Sequence, residues 1–230
     1  MNRRVFTSGL VALAALLTTG GCREMFRKRF RFRMTVEVDT PQGLRTGSSV
    51  MEMSAAMAAF KLPDSAAVDL RFKGEAVAVD LSGGQMLFAL IVDGFQGRNF
   101  QADIIQTFDP SYPHEEKLVS LFAKLGDVGS LGRTAVMRPE NVPPLVRFRD
   151  IRDPKTVELV DPNDLGKSFG ASVKLKRITL TVVDEPLTTG IEKRLPQPDS
   201  KGFFGMPMQV EGEIKIAAIS ISEFKKGTGK

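Results

Sequence analysis

Few residues of this chain could carry reactive chemistry, because its 230 residues include one cysteine and one histidine. This count excludes a disulfide framework and a zinc site built from cysteine and histidine. The histidine, His114, is followed by Glu115 and Glu116. A general base needs a nucleophile placed beside it, and no nucleophile motif accompanies His114. We therefore interpret it as a solvated residue in the first turn of a helix.

Serine and carboxylate motifs also give no case for an enzyme. The one Ser-x-x-Lys motif, Ser222–Lys225, lies near a charged tail and is interpreted as a chance match. Four aspartates lack the spacing of a calcium loop and are interpreted as turn formers. They are Asp150, Asp153, Asp161 and Asp164. The segment Gly129–Gly132 lacks the spacing of a nucleophile elbow. We predict no catalytic residue, no metal site and no cofactor.

The cysteine, Cys22, ends a sequence that predicts export from the cytoplasm. A short basic head precedes an apolar stretch of 13 residues, Val5–Leu17. A membrane-spanning helix needs about 17–25 residues, so this stretch predicts a signal peptide over residues 1–21. Gly20 and Gly21 before Cys22 resemble the lipobox of bacterial lipoproteins, in which the cysteine is acylated and becomes the new N-terminus. That family carries an aliphatic residue where Thr19 stands. The alternative is an ordinary signal peptide with an incidental cysteine.

The basic head resembles the twin-arginine export signal. Arg3, Arg4 and Phe6 match its pattern of two arginines, any residue and phenylalanine. The resemblance implies twin-arginine export of a lipoprotein, with the general secretory route as the alternative. It also implies membrane anchoring at the periplasmic face of a bacterial cell envelope. Arg23, after the cysteine, is not the aspartate that retains lipoproteins at the inner membrane, which favours the outer membrane.

The positive charge of the chain is concentrated at its N-terminus. The net charge is +5, yet residues 1–33 contain eight basic residues and one acidic residue, a local charge of +7. Residues 34–230 therefore carry a charge of −2. A mildly acidic body lacks the basic surface on which nucleic-acid binding depends. We predict no nucleic-acid partner for the domain.

Six basic residues after the cysteine form a candidate membrane-proximal site. They are Arg23, Arg27, Lys28, Arg29, Arg31 and Arg33. A juxtamembrane cation gains about 1 kcal/mol against an anionic leaflet. From Phe30 onward, apolar and polar residues alternate, which predicts a half-buried strand. We expect residues 22–28 to form a lipidated basic tether and the first strand to begin at about residue 29. An arm that binds nucleic acid or an anionic glycan is the alternative.

The remaining sequence predicts an α+β fold that is predominantly antiparallel β, a sandwich or an open barrel, with one or two short helices. Turn signals at Thr40–Gly43 and Ser82–Gly84 predict two hairpins. Val68–Leu81 is predicted as one strand. We expect a single domain over residues 29–226 and a flexible tail over residues 227–230.

Periodicity predicts the helices and one irregular strand. Apolar residues at helical spacing predict a helix over Pro113–Leu125 that ends at Gly126, and Asn99–Phe108 is a second candidate. The side-chain parity of the strand Val173–Val183 changes partway along it. This change predicts a β-bulge near Lys176 or Arg177.

Three stretches resemble a family of uncharacterised proteobacterial proteins: Thr35–Met53, Lys73–Leu90 and Thr188–Pro196. This resemblance implies neither a fold nor an activity. The leading hypothesis is a non-enzymatic, lipid-anchored envelope protein whose β-rich domain is a structural or interaction module, with an envelope protein or a glycan as its partner. The alternative is an envelope hydrolase or glycan-active enzyme that uses paired carboxylates, because pairing in space is not visible in a sequence.

Overall fold

Antiparallel strands dominate the structure, a computed structural model that describes residues 27–57, 68–92, 99–112, 124–205 and 219–227. In chain order the strands are β1 (Arg27–Thr40), β2 (Gly43–Met57), β3 (Val68–Glu75), β4 (Val77–Asp80), β5 (Met86–Ala89), β6 (Thr134–Val136), β7 (Leu145–Phe148), β8 (Val157–Val160), β9 (Lys174–Val183), β10 (Phe203–Gly205), β11 (Ile219–Ser220) and β12 (Lys225–Lys226). The helices are α1 (Phe100–Phe108) and α2 (Gly166–Phe169), together with helical residues 124–128.

The strands form two main sheets that share one core. The first sheet has the order β12-β3-β2-β1-β9-β6, the second has the order β4-β5-β7-β8, and β10 pairs with β11. All strand pairs in the described ranges are antiparallel. Phe32 and Met51 of the first sheet share a buried cluster with Val79 and Leu87 of the second. The predicted α+β, predominantly antiparallel β class is confirmed, and neither main sheet closes into a barrel.

The hairpin of β1 and β2 is the longest element, and it follows the predicted alternation. Five apolar residues of β1 at every second position are buried: Phe30, Phe32, Met34, Val36 and Val38. The predicted turn is confirmed, because Thr40 pairs with Gly43 across a two-residue loop. Gly43 has a φ of +103°, a conformation that favours glycine. The second predicted hairpin joins β4 and β5, with a wider loop that the Leu81 N–H closes by donating to the Gln85 carbonyl at 2.8 Å.

The prediction of one strand over Val68–Leu81 is wrong at Ala76. There the chain leaves β3 in the first sheet and enters β4 in the second. The Ala76 N–H donates to the Phe224 carbonyl at 2.8 Å instead of to a strand of either main sheet. Residues 74–79 are all buried, because each passes between two covered faces. The parity of the apolar residues changes at this point, but such a change does not show whether a strand bulges or moves to another sheet.

A second core lies on the other face of the four-stranded sheet. Its largest members are four phenylalanines, Phe88, Phe148, Phe204 and Phe224, with ring centroids 5.2–6.2 Å apart in five pairs. The pair of β10 and β11 and the turn Ile191–Arg194 supply residues that cover this face. The second core therefore buries the sheet surface that the first core leaves uncovered.

The predicted helix over residues 99–108 is confirmed as α1, with the Asn99 side chain capping its N-terminus. Most of the predicted helix Pro113–Leu125, including His114, lies outside the described residues. Its described end is helical to residue 128, so Gly126 lies within the helix and not after it. The predicted bulge in β9 is confirmed: Arg177 pairs with Glu37 and Leu175 pairs with Val38, which leaves Lys176 as the extra residue.

Candidate functional site

The residues predicted for export and anchoring, Arg3, Arg4, Phe6, Cys22 and Arg23, lie outside the described residues, so their roles stay predictions. The other five predicted basic residues all lie in β1. The strand begins at Arg27, two residues before the expected start. Arg27 and Lys28 therefore belong to the strand, where cross-strand pairing fixes their positions opposite Ala56 and Ala55.

Strand parity divides these five residues between two faces. Four arginines at alternate positions lie on the face of the first sheet opposite the core: Arg27, Arg29, Arg31 and Arg33. Lys28 has the opposite parity, and its side chain lies against Gly126 of the helical segment 124–128. The structure thus gathers the arginines into one row and directs the lysine towards the edge of the core.

Ion pairs hold the inner two arginines of the row. The Arg31 Nε donates to Glu52 Oε2 at 3.0 Å, and its Nη1 donates to the Glu185 carbonyl at 3.0 Å. Arg33 forms an ion pair with the Glu185 carboxylate. Surface pairs of this kind contribute about 0–1 kcal/mol each. Their structural effect is to hold the segment after β9 across the outer face of β1.

The outer two arginines, Arg27 and Arg29, lie nearest to the start of β1. Arg27 Nη1 donates to Ser54 Oγ at 3.3 Å. Arg29 is exposed, and among the described residues no carboxylate lies within ion-pair distance of it. This end of the strand therefore presents an uncompensated guanidinium to solvent.

Strand β3 brings two more basic residues to this end of the sheet. Arg71 pairs in register with Ser54, and Lys73 pairs with Glu52. Sequence reasoning missed both, because only the long-range register of β2 and β3 places them here. We name the surface of these six basic residues the N-terminal cationic face: Arg27, Arg29, Arg31, Arg33, Arg71 and Lys73. The described acidic side chains on or beside it are three: Glu52, Asp184 and Glu185.

A groove of about 370 Å³ opens at the end of this face. Its lining includes Arg29, Arg31, Glu52, Leu131 and Asp184. The two carboxylates are the kind of pair that the glycan-active alternative requires. However, Glu52 is held in the ion pair with Arg31, and Asp184 is exposed. Neither has the apolar surroundings in which a carboxylic acid serves as a general acid.

The four candidate aspartates are confirmed as turn formers. Each accepts a backbone N–H with its own Oδ1: Asp150 from Arg152 at 2.9 Å, Asp153 from Lys155 at 2.9 Å, Asp161 from Asn163 at 2.8 Å, and Asp164 from Lys167 at 3.3 Å. The Arg152 side chain also bonds Asp150 and lowers the pKa of that carboxyl below its usual value. These carboxylates close turns.

The structure pairs the serine and the lysine of the Ser-x-x-Lys motif with different groups. Ser222 Oγ lies 2.6 Å from Ser220 Oγ and donates to Glu223 Oε1 at 3.2 Å. The Lys225 ammonium pairs with the Glu192 carboxylate instead, and this hydrogen bond lowers the pKa of Glu192. A Ser–Lys catalytic pair would need the lysine amine beside the serine hydroxyl.

The described ranges hold no group of three or more histidine, cysteine, aspartate or glutamate residues that could bind a metal ion. No helix within them is long and apolar enough to cross a membrane. The chain matches no protein-family model, no curated protein and no solved structure.

Proposed function

We propose that this chain is a lipid-anchored protein of the bacterial cell envelope, held at the membrane through Cys22, with a β-rich domain that acts as a non-enzymatic interaction module. The observation that carries the proposal is the position of the N-terminal cationic face. It lies where β1 begins, five residues after the candidate acylated cysteine.

Chain length supports a short distance between the anchor and this face. A fully extended chain spans at most about 3.6 Å per residue, so the Cα of Arg27 lies within about 18 Å of the Cα of Cys22. Arg29 lies two residues further along β1. An acyl group on Cys22 would therefore keep the start of β1 close to the headgroups of the leaflet.

The basic residues at the start of β1 also support a position of this face near the leaflet. Attraction between cations and an anionic leaflet decays over about 8–10 Å at physiological salt, so basic residues act there only if they are held near the surface. An acylated Cys22 would allow the uncompensated Arg29 and the neighbouring Arg27 to come within this range. The acidic body carries no comparable excess of basic residues.

Anchoring through Cys22 is tested by changing the cysteine in the full chain. Each buried methylene contributes about 0.8 kcal/mol, so several acyl chains hold a protein stably at the membrane. The Cys22→Ala variant should leave the membrane fraction or accumulate as an unprocessed precursor. The mature wild-type protein should show the mass of acyl groups on its N-terminal cysteine.

The matched control is Ser54→Ala, which removes the hydrogen-bond acceptor of Arg27 and leaves Cys22 intact. It should stay in the membrane fraction with normal processing. Normal processing and unchanged membrane fractionation of Cys22→Ala, together with an unmodified mass for the wild-type protein, would overturn the proposal.

A further inference from the structure

The loop of residues 129–133, which we name the Leu131 loop, places an apolar side chain beside the N-terminal cationic face. Leu131 is 73% exposed, more than the other large hydrophobic residues in the described ranges. It lines the same groove as Arg29 and Asp184. A single exposed leucine is ordinary on a protein surface. This one, however, lies among cations at the end where the chain enters the domain.

Backbone hydrogen bonds hold the Leu131 loop in place. The Gly132 N–H donates to the Val182 carbonyl at 2.9 Å, and the Val182 N–H donates to the Arg133 carbonyl at 2.8 Å. The Arg133 N–H closes the turn by donating to the Ser130 carbonyl at 3.1 Å. These bonds fix the backbone of the loop in the conformation in which Leu131 is exposed to solvent.

A second exposed arginine, Arg133, lies two residues after Leu131 in the same loop. Arg133 donates from Nη2 to the Phe108 carbonyl at 2.6 Å and from Nη1 to the Asp127 carbonyl at 3.2 Å. Its partners are neutral carbonyl groups, so its positive charge is not cancelled. Arg29 and Arg133 form no ion pair with a described residue, whereas Arg31 is paired with Glu52; the exposed carboxylates nearby are Asp127 and Asp184. The two guanidinium groups beside Leu131 therefore keep their positive charges.

We propose that the Leu131 loop and the N-terminal cationic face together dock onto an anionic lipid leaflet. Leu131 enters the interfacial region, and Arg29 and Arg133 contact lipid phosphates. Charge complementarity and the short chain between Cys22 and Arg27 point to this occupant. The inference rests on the proposed anchoring at Cys22 and adds to it a fixed orientation of the domain.

This orientation places the far end of the first sheet away from the leaflet. Leu44 lies ten residues along β2 from Ser54, the cross-strand partner of Arg29, and a strand rises about 3.3 Å per residue. Leu44 is therefore about 33 Å from the docking end. It is 48% exposed and so provides a matched apolar position that should stay in water.

The chain has no tryptophan, so one introduced tryptophan reports its own surroundings. Full-length Leu131→Trp and Leu44→Trp variants are purified from the membrane fraction. They are then reconstituted into vesicles of phosphatidylethanolamine and phosphatidylglycerol with brominated acyl chains. We expect several-fold stronger quenching and a blue-shifted emission for Leu131→Trp. Equal quenching of the two variants would overturn the docking, as would binding of a protein partner that shields Leu131→Trp from lipid.

The contribution of Arg29 to the docking is tested by charge reversal in the Leu131→Trp background. Arg29→Glu should lower the quenching at least about twofold, whereas Arg45→Glu, an exposed arginine at the far end of β2, should leave it unchanged. Equal effects of both reversals would overturn the role of Arg29. The intact mass of the purified protein separates the two proposals. If the protein is acylated but Leu131→Trp is not quenched, the docking alone is overturned. If the protein carries no acyl groups, the anchoring is overturned and the docking with it.

Discussion

The Glu75 carboxylate accepts a hydrogen bond from the backbone N–H of Ile191, with 2.7 Å between Oε2 and N. Glu75 ends β3 and is 1% exposed, and Ile191 begins the turn that covers the second core. The bond joins the first sheet to the segment that crosses its outer face after β9. It therefore ties together two parts of the chain that are 116 residues apart in sequence.

Glu75→Ala should lower the free energy of unfolding by about 1–3 kcal/mol, because it leaves the buried Ile191 N–H without its acceptor. Glu75→Gln keeps an oxygen at the same position and should lose less than half as much. Urea unfolding followed by circular dichroism measures both values. Equal losses for the two variants would show that the acceptor oxygen is not the source of the stability.

The Lys124 side chain donates to Asp109 Oδ2 at 2.7 Å, and Ser111 also bonds this carboxylate. These bonds hold the pKa of Asp109 at about 2, below its ordinary value of 3.8. A carboxyl with a lowered native pKa stabilises the fold above its unfolded pKa, and this stabilisation disappears as the pH falls through the native pKa. Lys124→Met should therefore raise the pKa of Asp109 and lower the Tm at neutral pH.

The difference in Tm between wild type and Lys124→Met should shrink as the pH falls from about 3.8 to about 2. Carboxyl carbon chemical shifts followed by NMR give the pKa of Asp109 directly. Lys167→Met is the matched control, because Lys167 pairs with Asp164 elsewhere on the surface. An unchanged pKa of Asp109 in Lys124→Met would contradict the assignment.

Gly47 lies where β2 passes against β4. A Cβ at this position would overlap the Ala78 carbonyl oxygen and lie 2.8 Å from the Ala78 carbonyl carbon. Because the obstacle is backbone, Gly47→Ala should separate the two sheets and cost about 1–3 kcal/mol of stability. Differential scanning calorimetry should show a lower Tm.

Gly126→Ala provides the contrasting variant. Gly126 lies in the helical segment, and a Cβ there would meet the end of the flexible Lys28 side chain at 2.9 Å. The lysine can move, and alanine favours a helix over glycine by about 1 kcal/mol. Gly126→Ala should therefore leave the Tm unchanged or raise it. Equal losses for Gly47→Ala and Gly126→Ala would contradict the close approach of β2 and β4.

Sequence patterns predicted the elements that depend on residues close together in the chain. The change of parity at Lys176 revealed the bulge, and the alternation from Phe30 to Val38 revealed the buried face of β1. The crossing at Ala76 was missed, because it depends on the distant Phe224 carbonyl and on a run that is buried on both sides.

The candidate site shows the same division between local and distant causes. The β1 arginines were visible in the sequence. Arg71 and Lys73 lie beside them only because of the register between β2 and β3. Leu131 lies near them because its loop forms backbone hydrogen bonds with Val182. The one local signal for Leu131 was an apolar residue in a turn rich in glycine and serine.

The export route is predicted from Arg3, Arg4 and Phe6, and it can be tested by conservative substitution. Lysine keeps the charge of arginine but not its planar guanidinium. If the twin-arginine route is used, changing both Arg3 and Arg4 to lysine should block export and leave a folded precursor in the cytoplasm. Protease accessibility in spheroplasts measures the exported fraction.

Changing Arg27 and Arg29 to lysine alters the same number of residues outside the signal and should leave export intact. Normal export of the Arg3 and Arg4 variant would show that the chain uses the general secretory route.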